Sequence, residues 1–264
     1  MVLLPVTFFY CFVAKDAVNA SRCYLEKIFR RQVSWREIWK HFYMFAVVSV
    51  DRFYFVKGRY NKFDIEFHGE KIVHELLEKN KGCIILVSHI GSFDALRALG
   101  IACQDLPLKI LMNHQHNPGA MKIIDALNPE LAAAIVDSSQ PPAKLALELA
   151  EHLESGGVIG IMADRVTKEE ASVECDFLGG KARLPLSPWQ LAVVLNVPVV
   201  LCFGLFDGGR KYSVYVELLS EKLAVKRSER KQVLAQYVQK YASRMEWYLG
   251  RSPFNWFNFY NYWQ

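Results

Sequence analysis

KGCIILVSHIGSFDALRALG, residues 81–100, is the stretch whose reading decides the fold. Its short apolar run, Cys83–Val87, reads as a buried strand. Ser88 and His89 follow, then a small turn, Ile90-Gly91-Ser92-Phe93, and then Asp94 in the first turn of a helix carried by Ala95, Leu96, Ala98 and Leu99. The result is a strand with histidine at its carboxyl end, a tight turn, and an acid opening a helix. In open α/β sheets that edge is where ligands and chemistry gather. Four residues separate His89 from Asp94, so the chain is expected to fold back and bring the carboxylate to the imidazole.

Working outward, the same alternation repeats. On the amino side, Asp64–His68 reads as a strand and Glu70–Lys79 as a helix. On the carboxyl side the strands are Leu108–Met112, Ala132–Asp137, Val158–Met162, Val173–Leu178, Lys181–Pro185, Val199–Phe203 and Tyr212–Leu218. Between and after them, helices are expected from Gly119 to Leu127, from Pro142 to Leu153, from Trp189 to Leu195 and from Lys226 to Leu249. This pattern predicts an α/β fold with a mixed, mostly parallel central sheet covered by helices on both faces. Neither G-x-G-x-x-G nor G-x-x-x-x-G-K-[ST] occurs, which disfavours a dinucleotide fold or a P-loop.

Residues 1–55 read differently, as an apolar and amphipathic helical segment that associates with membranes, ahead of a catalytic domain over 56–264. VLLPVTFFYCFVA is apolar over 13 residues. As a helix it covers roughly 20 Å, against a hydrocarbon core of about 30 Å. It is too short to span alone, and it lacks the basic start of a signal peptide. An interfacial anchor is preferred over a buried helix. Ser34 and Glu37 form a capping-box pattern, and Trp35, Ile38, Trp39, Phe42, Phe45, Ala46 and Val50 follow at helical spacing. Such a stripe is core, or in part a headgroup-facing surface, since Arg30, Arg31, Arg36 and Lys40 flank it.

A net charge of +5 spread along the chain gives no nucleic-acid footprint. It suits an anionic membrane surface or an acidic carrier partner. Six Trp, twelve Tyr and seventeen Phe are rich for a purely soluble enzyme. The six cysteines form no C-x-x-C pair and sit mostly in apolar company, which predicts reduced thiols and a cytoplasmic setting. The tail, PFNWFNFYNYW over 253–263, either packs back on the domain or lies at a membrane interface.

Polar residues at the strand ends are the candidates for chemistry. His89 as general base and Asp94 as its orienting partner would suit activation of a hydroxyl or an amine. From spacing alone, a structural His beside a capping Asp explains the same pattern. The absence of a G-x-S-x-G elbow withholds a serine nucleophile, and a base acting directly on an acceptor needs none. Asp164-Arg165 is either an ion pair or, through the planar guanidinium fork, a phosphate or carboxylate site. Lys181 and Arg183 are solvated cations or partners of Arg165 on an anionic headgroup. Ser92 in the turn and His114 in the loop after Leu108–Met112 are placed as substrate contacts. His114 and His116 form an H-x-H without Cys or acidic company, a poor metal set, and no metal is expected.

Taken in order, HIGSFD (89–94), GVIGIMADRV (157–166), DFLGGKARLPLSPWQLA (176–192) and PFNWFNFYNYW (253–263) resemble the bacterial lipid A biosynthesis acyltransferase family, within the lysophospholipid acyltransferase superfamily. The likeness runs from about Pro5 to Trp263. It is nearest to a branch of predicted acyltransferases associated with glycolipid and aryl-polyene clusters. The resemblance implies O-acyl transfer (EC 2.3.1) from acyl carrier protein, or acyl-CoA, to a hydroxyl of a membrane lipid or glycolipid. It implies no cofactor and a place on the cytoplasmic face of a bacterial inner membrane. His89 and Asp94 would then be the H-x-x-x-x-D base and partner, and Arg165 a substrate contact. Many lipid A enzymes carry Glu where this chain has Asp94, so lipid A itself is not assumed as acceptor. A thioesterase using the same pair on water is the alternative, and a non-catalytic membrane scaffold a third reading.

Overall fold

The computed structural model describes residues 3–102, 106–113, 118–167, 170–223, 225–226 and 228–263. In chain order the elements are α1 (Leu3–Val13), α2 (Lys15–Phe29), α3 (Trp35–Val56), β1 (Asp64–His68), α4 (Lys71–Glu78), β2 (Cys83–Val87), α5 (Ala95–Ala102), β3 (Leu108–Met112), α6 (Pro118–Leu127), α7 (Pro129–Ala133), β4 (Ile135–Asp137), α8 (Pro142–Glu154), β5 (Val158–Met162), β6 (Ser172–Phe177), β7 (Gly180–Pro185), α9 (Ser187–Leu195), β8 (Val199–Gly208), β9 (Lys211–Ser220) and α10 (Arg230–Arg251).

Seven strands form one sheet in the order β1-β9-β8-β2-β5-β3-β4, and β6 and β7 form a separate antiparallel hairpin. From β8 to β4 every neighbouring pair is parallel. β9 returns antiparallel to β8, and β1 runs parallel to β9. This is the mixed, mostly parallel α/β sheet that the alternating pattern predicts. β2 lies in its middle and is buried throughout, the reason it reads as an unbroken apolar run. Its side chains alternate between two cores. Ile84 and Leu86 meet Leu25, Phe42, Leu149, Trp189 and Tyr241 on one face. Cys83, Ile85 and Val87 meet Val73 and Leu99, from α4 and α5, on the other. Full burial of each large apolar side chain contributes about 1.5–3 kcal/mol.

β8 runs on to Gly208 and α10 opens only at Arg230, and at one segment the type of element departs from the sequence expectation. Where Ala132–Asp137 reads as a strand, Pro129–Ala133 is helical and only Ile135–Asp137 joins the sheet. Asn128 accepts the Leu131 N–H at 2.9 Å and Pro129 presets the first turn, so local capping overrides the apolar run.

At the amino end, Ser34 and Glu37 make the capping box reciprocally and open α3. Ile38 and Phe42 of its stripe are buried, whereas Phe45 and Val50 are exposed, so only part of this stripe is core. α1 packs on α3, with the Trp39 Nε1–H donating to Thr7 Oγ1 at 3.2 Å. Its other side leaves Leu4, Val6, Phe8, Phe9, Tyr10, Phe12 and Val13 exposed. Among the described residues no single helix is long and apolar enough to cross a membrane. α1 and α2, bent by 98°, reach that length and composition only together. The aromatic tail packs back on the domain, with Trp256 and Tyr262 buried.

Candidate active site

The register of the parallel sheet builds the site. β2 and β5 are neighbours with Val87 opposite Met162. Carrying that register two residues past the strand ends sets His89 beside Asp164. Ala163 N–H and Tyr241 O–H both donate to the Val87 carbonyl, at 3.0 and 2.9 Å, and hold the two exits together. His89 Nδ1 then lies 2.9 Å from Asp164 Oδ1, and the His89 backbone N–H donates to Oδ2 at 3.0 Å. A buried carboxylate only accepts, so the proton of the neutral ring sits on Nδ1 and the Nε2 lone pair is left for the cavity that His89 lines.

Asp164 is fully buried, and burial, the largest influence, pushes its carboxyl upward. The His89 ring, Arg165 and the His89 N–H together outweigh that and hold it below the usual carboxylate value. Tyr262 O–H donates to the Asp164 carbonyl at 2.5 Å, and the Phe257 N–H to the His89 carbonyl at 3.1 Å. The tail is therefore part of the site's frame. A buried His41 on α3 anchors it in turn, with Nε2 2.8 Å from the Trp256 carbonyl and Nδ1 2.8 Å from Ser21 Oγ. Because a carbonyl only accepts, Nε2 carries the proton and Ser21 donates to Nδ1. Burial depresses the His41 pKa to about 4.

The expected pairing of His89 with Asp94 is corrected here: Nδ1 is taken by Asp164. The turn explains why. Gly91 adopts φ +61°, its N–H donates to the Asn255 carbonyl, and Ser92 N–H donates to that of Gly204. A Cβ on Gly91 would stand 1.9 Å from the Gly204 oxygen, so only glycine fits. Pinned in this way, the turn delivers Asp94 to α3. The Asp94 carbonyl accepts the N–H groups of Arg97 and Ala98, and its Oδ2 lies 3.4 Å from Arg52 Nε. Burial raises its pKa despite the opposing pull of Arg52 and Arg97.

A cavity of about 440 Å³ opens on His89, walled by Arg52, Ser92, Phe93, Asp94, Arg165 and Tyr260 among others. Arg165 is fixed by an Nη2 hydrogen bond to the Phe257 carbonyl at 2.8 Å and lies 5.6 Å from the Tyr260 ring centroid. Ser92 and Arg165 thus line the same cavity as His89. Asp164 is present as the ring's partner and is fully buried, not as a substrate contact. Lys181 and Arg183 are exposed on β7, in register with Asp176 and Glu174 of β6, and Lys181 is paired with Asp176 at 2.7 Å. Neither lines this cavity; Arg183 lines a neighbouring one of about 290 Å³ beyond Tyr260. His114 lies outside the described residues. Among those described, no three His, Cys, Asp or Glu side chains gather as ligands for a metal.

Sequence reasoning missed Phe45, Val48, Ser49 and Arg52 of α3, and Phe257, Phe259 and Tyr260 of the tail, as cavity walls. The Asp164 pairing had a readable signal: two predicted parallel strands, each ending in a polar group.

Chemically, the arrangement offers a base with a fixed tautomer, a buried anion to stabilise its protonated form, and two guanidinium groups around an otherwise largely apolar cavity. A family model described as bacterial lipid A biosynthesis acyltransferase matches residues 31–264. No curated protein matches the chain.

Proposed function

The chain belongs to the bacterial lipid A biosynthesis acyltransferase family, and on that premise we propose that it transfers a fatty acyl group from a carrier thioester to a lipid hydroxyl, with His89 as general base. The family carries lipid acyltransferase activity; the donor, the acceptor and the residue roles are our reading. The observation that supports it most is the 2.9 Å contact of His89 Nδ1 with buried Asp164, which leaves Nε2 basic at the cavity wall.

In the proposed step the acceptor hydroxyl gives its proton to His89 Nε2 while its oxygen attacks the thioester carbonyl. Asp164 stabilises the imidazolium that results. The tetrahedral intermediate collapses as the C–S bond breaks. The departing thiolate takes the proton back from Nε2, which leaves a free thiol on the carrier and an ester on the acceptor. Arg165 supplies positive charge near the developing oxyanion. Such a base is typically worth about 10²–10⁴ in rate.

The donor in this reading is acyl carrier protein, or acyl-CoA, and the acceptor a membrane lipid or glycolipid. The exposed apolar side of α1 supports a protein resting on a membrane, which we assign to the cytoplasmic leaflet.

The test is to incubate purified protein with acyl carrier protein loaded with a labelled fatty acid and with membrane lipids. Label is expected in lipid with wild-type protein and lost by about 10²-fold or more with His89→Ala. Label released as free fatty acid in place of lipid ester would instead assign a thioesterase. Undiminished transfer by a folded His89→Ala protein would overturn the role of His89.

A further inference from the structure

Arg52 has no part in the steps above, yet it stands where two cavities meet. It lines the His89 cavity and also an apolar one of about 270 Å³ between α3 and α6, walled by Phe53, Val56, Ile123, Ile124 and Leu127. Phe45 and Ser49 border both cavities as well, so one layer of side chains separates them.

The guanidinium of Arg52 is held in place while its Nη groups stay uncommitted. The guanidinium carbon lies 4.2 Å from the Phe93 ring centroid, and Nε lies 3.4 Å from Asp94 Oδ2. Among the described residues neither Nη of Arg52 donates a hydrogen bond, and Asp94 Oδ2 accepts none. Beside it, Ser92 is 3% exposed, and its Oγ has no partner among the described residues although the residue lines the cavity. Arg165 lines the same cavity, with Nη2 committed and Nε buried without a partner among the described residues. Three arginines, Arg52, Arg97 and Arg165, stand against two carboxylates, Asp94 and Asp164, so the surroundings keep a positive charge with His89 neutral. Guanidinium forks of this kind, held in place before a ligand arrives, match phosphate geometry.

We propose that Arg52, with Ser92 and Arg165 of the same cavity, binds a phosphate group of the substrate, and that Asp94 is a positioning residue acting on Arg52 and not on His89. This rests on the acyltransferase reading. The shared chemistry is a phosphate ester, and the source favoured is the lipid acceptor. Arg52 sits at a junction of polar and apolar compartments, which is what an amphiphile needs at its headgroup. The phosphate of a donor's pantetheine arm is the other source.

The experiment uses the full chain in detergent and reads binding without turnover. Mixed micelles doped with phosphatidic acid are compared with micelles doped with diacylglycerol of the same chains. Wild-type protein is expected to prefer phosphatidic acid by about tenfold or more. Arg52→Gln should abolish the preference, and Arg52→Lys, which keeps the charge but not the fork, should retain part of it. Asp94→Asn should weaken it while raising KM and leaving kcat within about threefold, because the base keeps its own partner, Asp164.

Kinetics separate the sources. A KM raised for the lipid acceptor by Arg52→Gln assigns the phosphate to the lipid. A KM raised for acyl-phosphopantetheine but not for acyl-pantetheine assigns it to the donor. A natively folded Arg52→Gln protein with unchanged preference and unchanged KM values overturns the site. That result, with normal turnover, leaves the acyltransferase reading standing. Arg52-dependent binding by a protein that transfers no acyl group keeps the site and removes that reading. An Asp94→Asn protein that loses kcat with KM unchanged overturns the positioning role.

Discussion

Replacing Asp164 by Asn should silence the His89 base while leaving nearly every atom in place. Asp164 accepts at both oxygens: Oδ1 faces His89 Nδ1 at 2.9 Å, and Oδ2 faces the His89 backbone N–H at 3.0 Å and Trp256 Nε1–H at 3.5 Å. An amide offers one acceptor and one donor group. If its oxygen stays on the two N–H groups, its NH₂ points at Nδ1 and forces the proton to Nε2, the nitrogen that must be free. If it flips, the NH₂ meets two donors in a buried place, at about 1–3 kcal/mol for the unsatisfied groups. The first arrangement is the cheaper one, and it puts the ring in the wrong tautomer. The comparable change in a serine-protease triad costs about 10⁴ in kcat. A general base alone is worth about 10²–10⁴, so kcat should fall by that range, about 3–5 kcal/mol in barrier. The assay is single-turnover acyl transfer from loaded carrier to lipid, with circular dichroism and urea unfolding to verify the fold. An Asp164→Asn enzyme within about threefold of wild type would refute the assignment of Asp164 as the ring's partner.

The two carboxylates at the site should show opposite pH signatures in stability. The Asp164 carboxyl is held below its ordinary value, so its contribution is complete above the unfolded pKa near 3.9 and fades as pH falls through the lower folded value. The Asp94 carboxyl is held above by burial, so its ionisation costs stability once pH passes its raised value. In urea unfolding at pH 7, Asp94→Asn is therefore expected to equal or exceed wild type and Asp164→Asn to fall below it; the reverse order would contradict this. His41, with a pKa of about 4 in the fold against about 6.5 unfolded, binds its proton more readily in the unfolded chain. Stability should consequently drop by roughly 3 kcal/mol between pH 7 and pH 4 on its account, and a His41→Gln protein should lose that part of the slope. Gly91→Ala should cost about 1–2 kcal/mol from its left-handed backbone alone, with the clash against Gly204 added, and should lower activity by displacing the turn. Native-like melting and turnover in that variant would show that the turn is slack.

Much of the sheet was legible because β2, β3 and β5 obey local rules: short apolar runs closed by glycine, proline or polar residues, with helices between. β4 was not, since the Asn128-Pro129 cap that turns 129–133 helical is a three-residue signal inside an apolar stretch. His89 stood out as the polar group at a strand's end. Its partner did not, because H-x-x-x-x-D is a spacing along the chain and the Asp164 contact is a register between strands. Arg52 was less visible still. It sits 37 residues before His89, on a helix whose apolar stripe reads as core, and only packing brings it to the cavity wall. Lys181 and Arg183 read as cations near a turn, but Lys181 is paired with Asp176, and neither residue lines the His89 cavity.

The docking of the tail bears on how the protein is made. Phe257 bonds the carbonyl of His89, the carbonyl of Phe257 holds Arg165, and Tyr262 bonds that of Asp164. These contacts join residues 89 and 164–165 to residues 257–262, which a ribosome adds roughly a hundred residues later. The base and its carboxylate partner can meet during synthesis, but the cavity has no far wall until those residues emerge from the exit tunnel. A nascent chain carrying His89 and Asp164 therefore has its exposed α1 before it has a working centre. On this ordering the apolar side of α1 is open to contact before the cavity is closed.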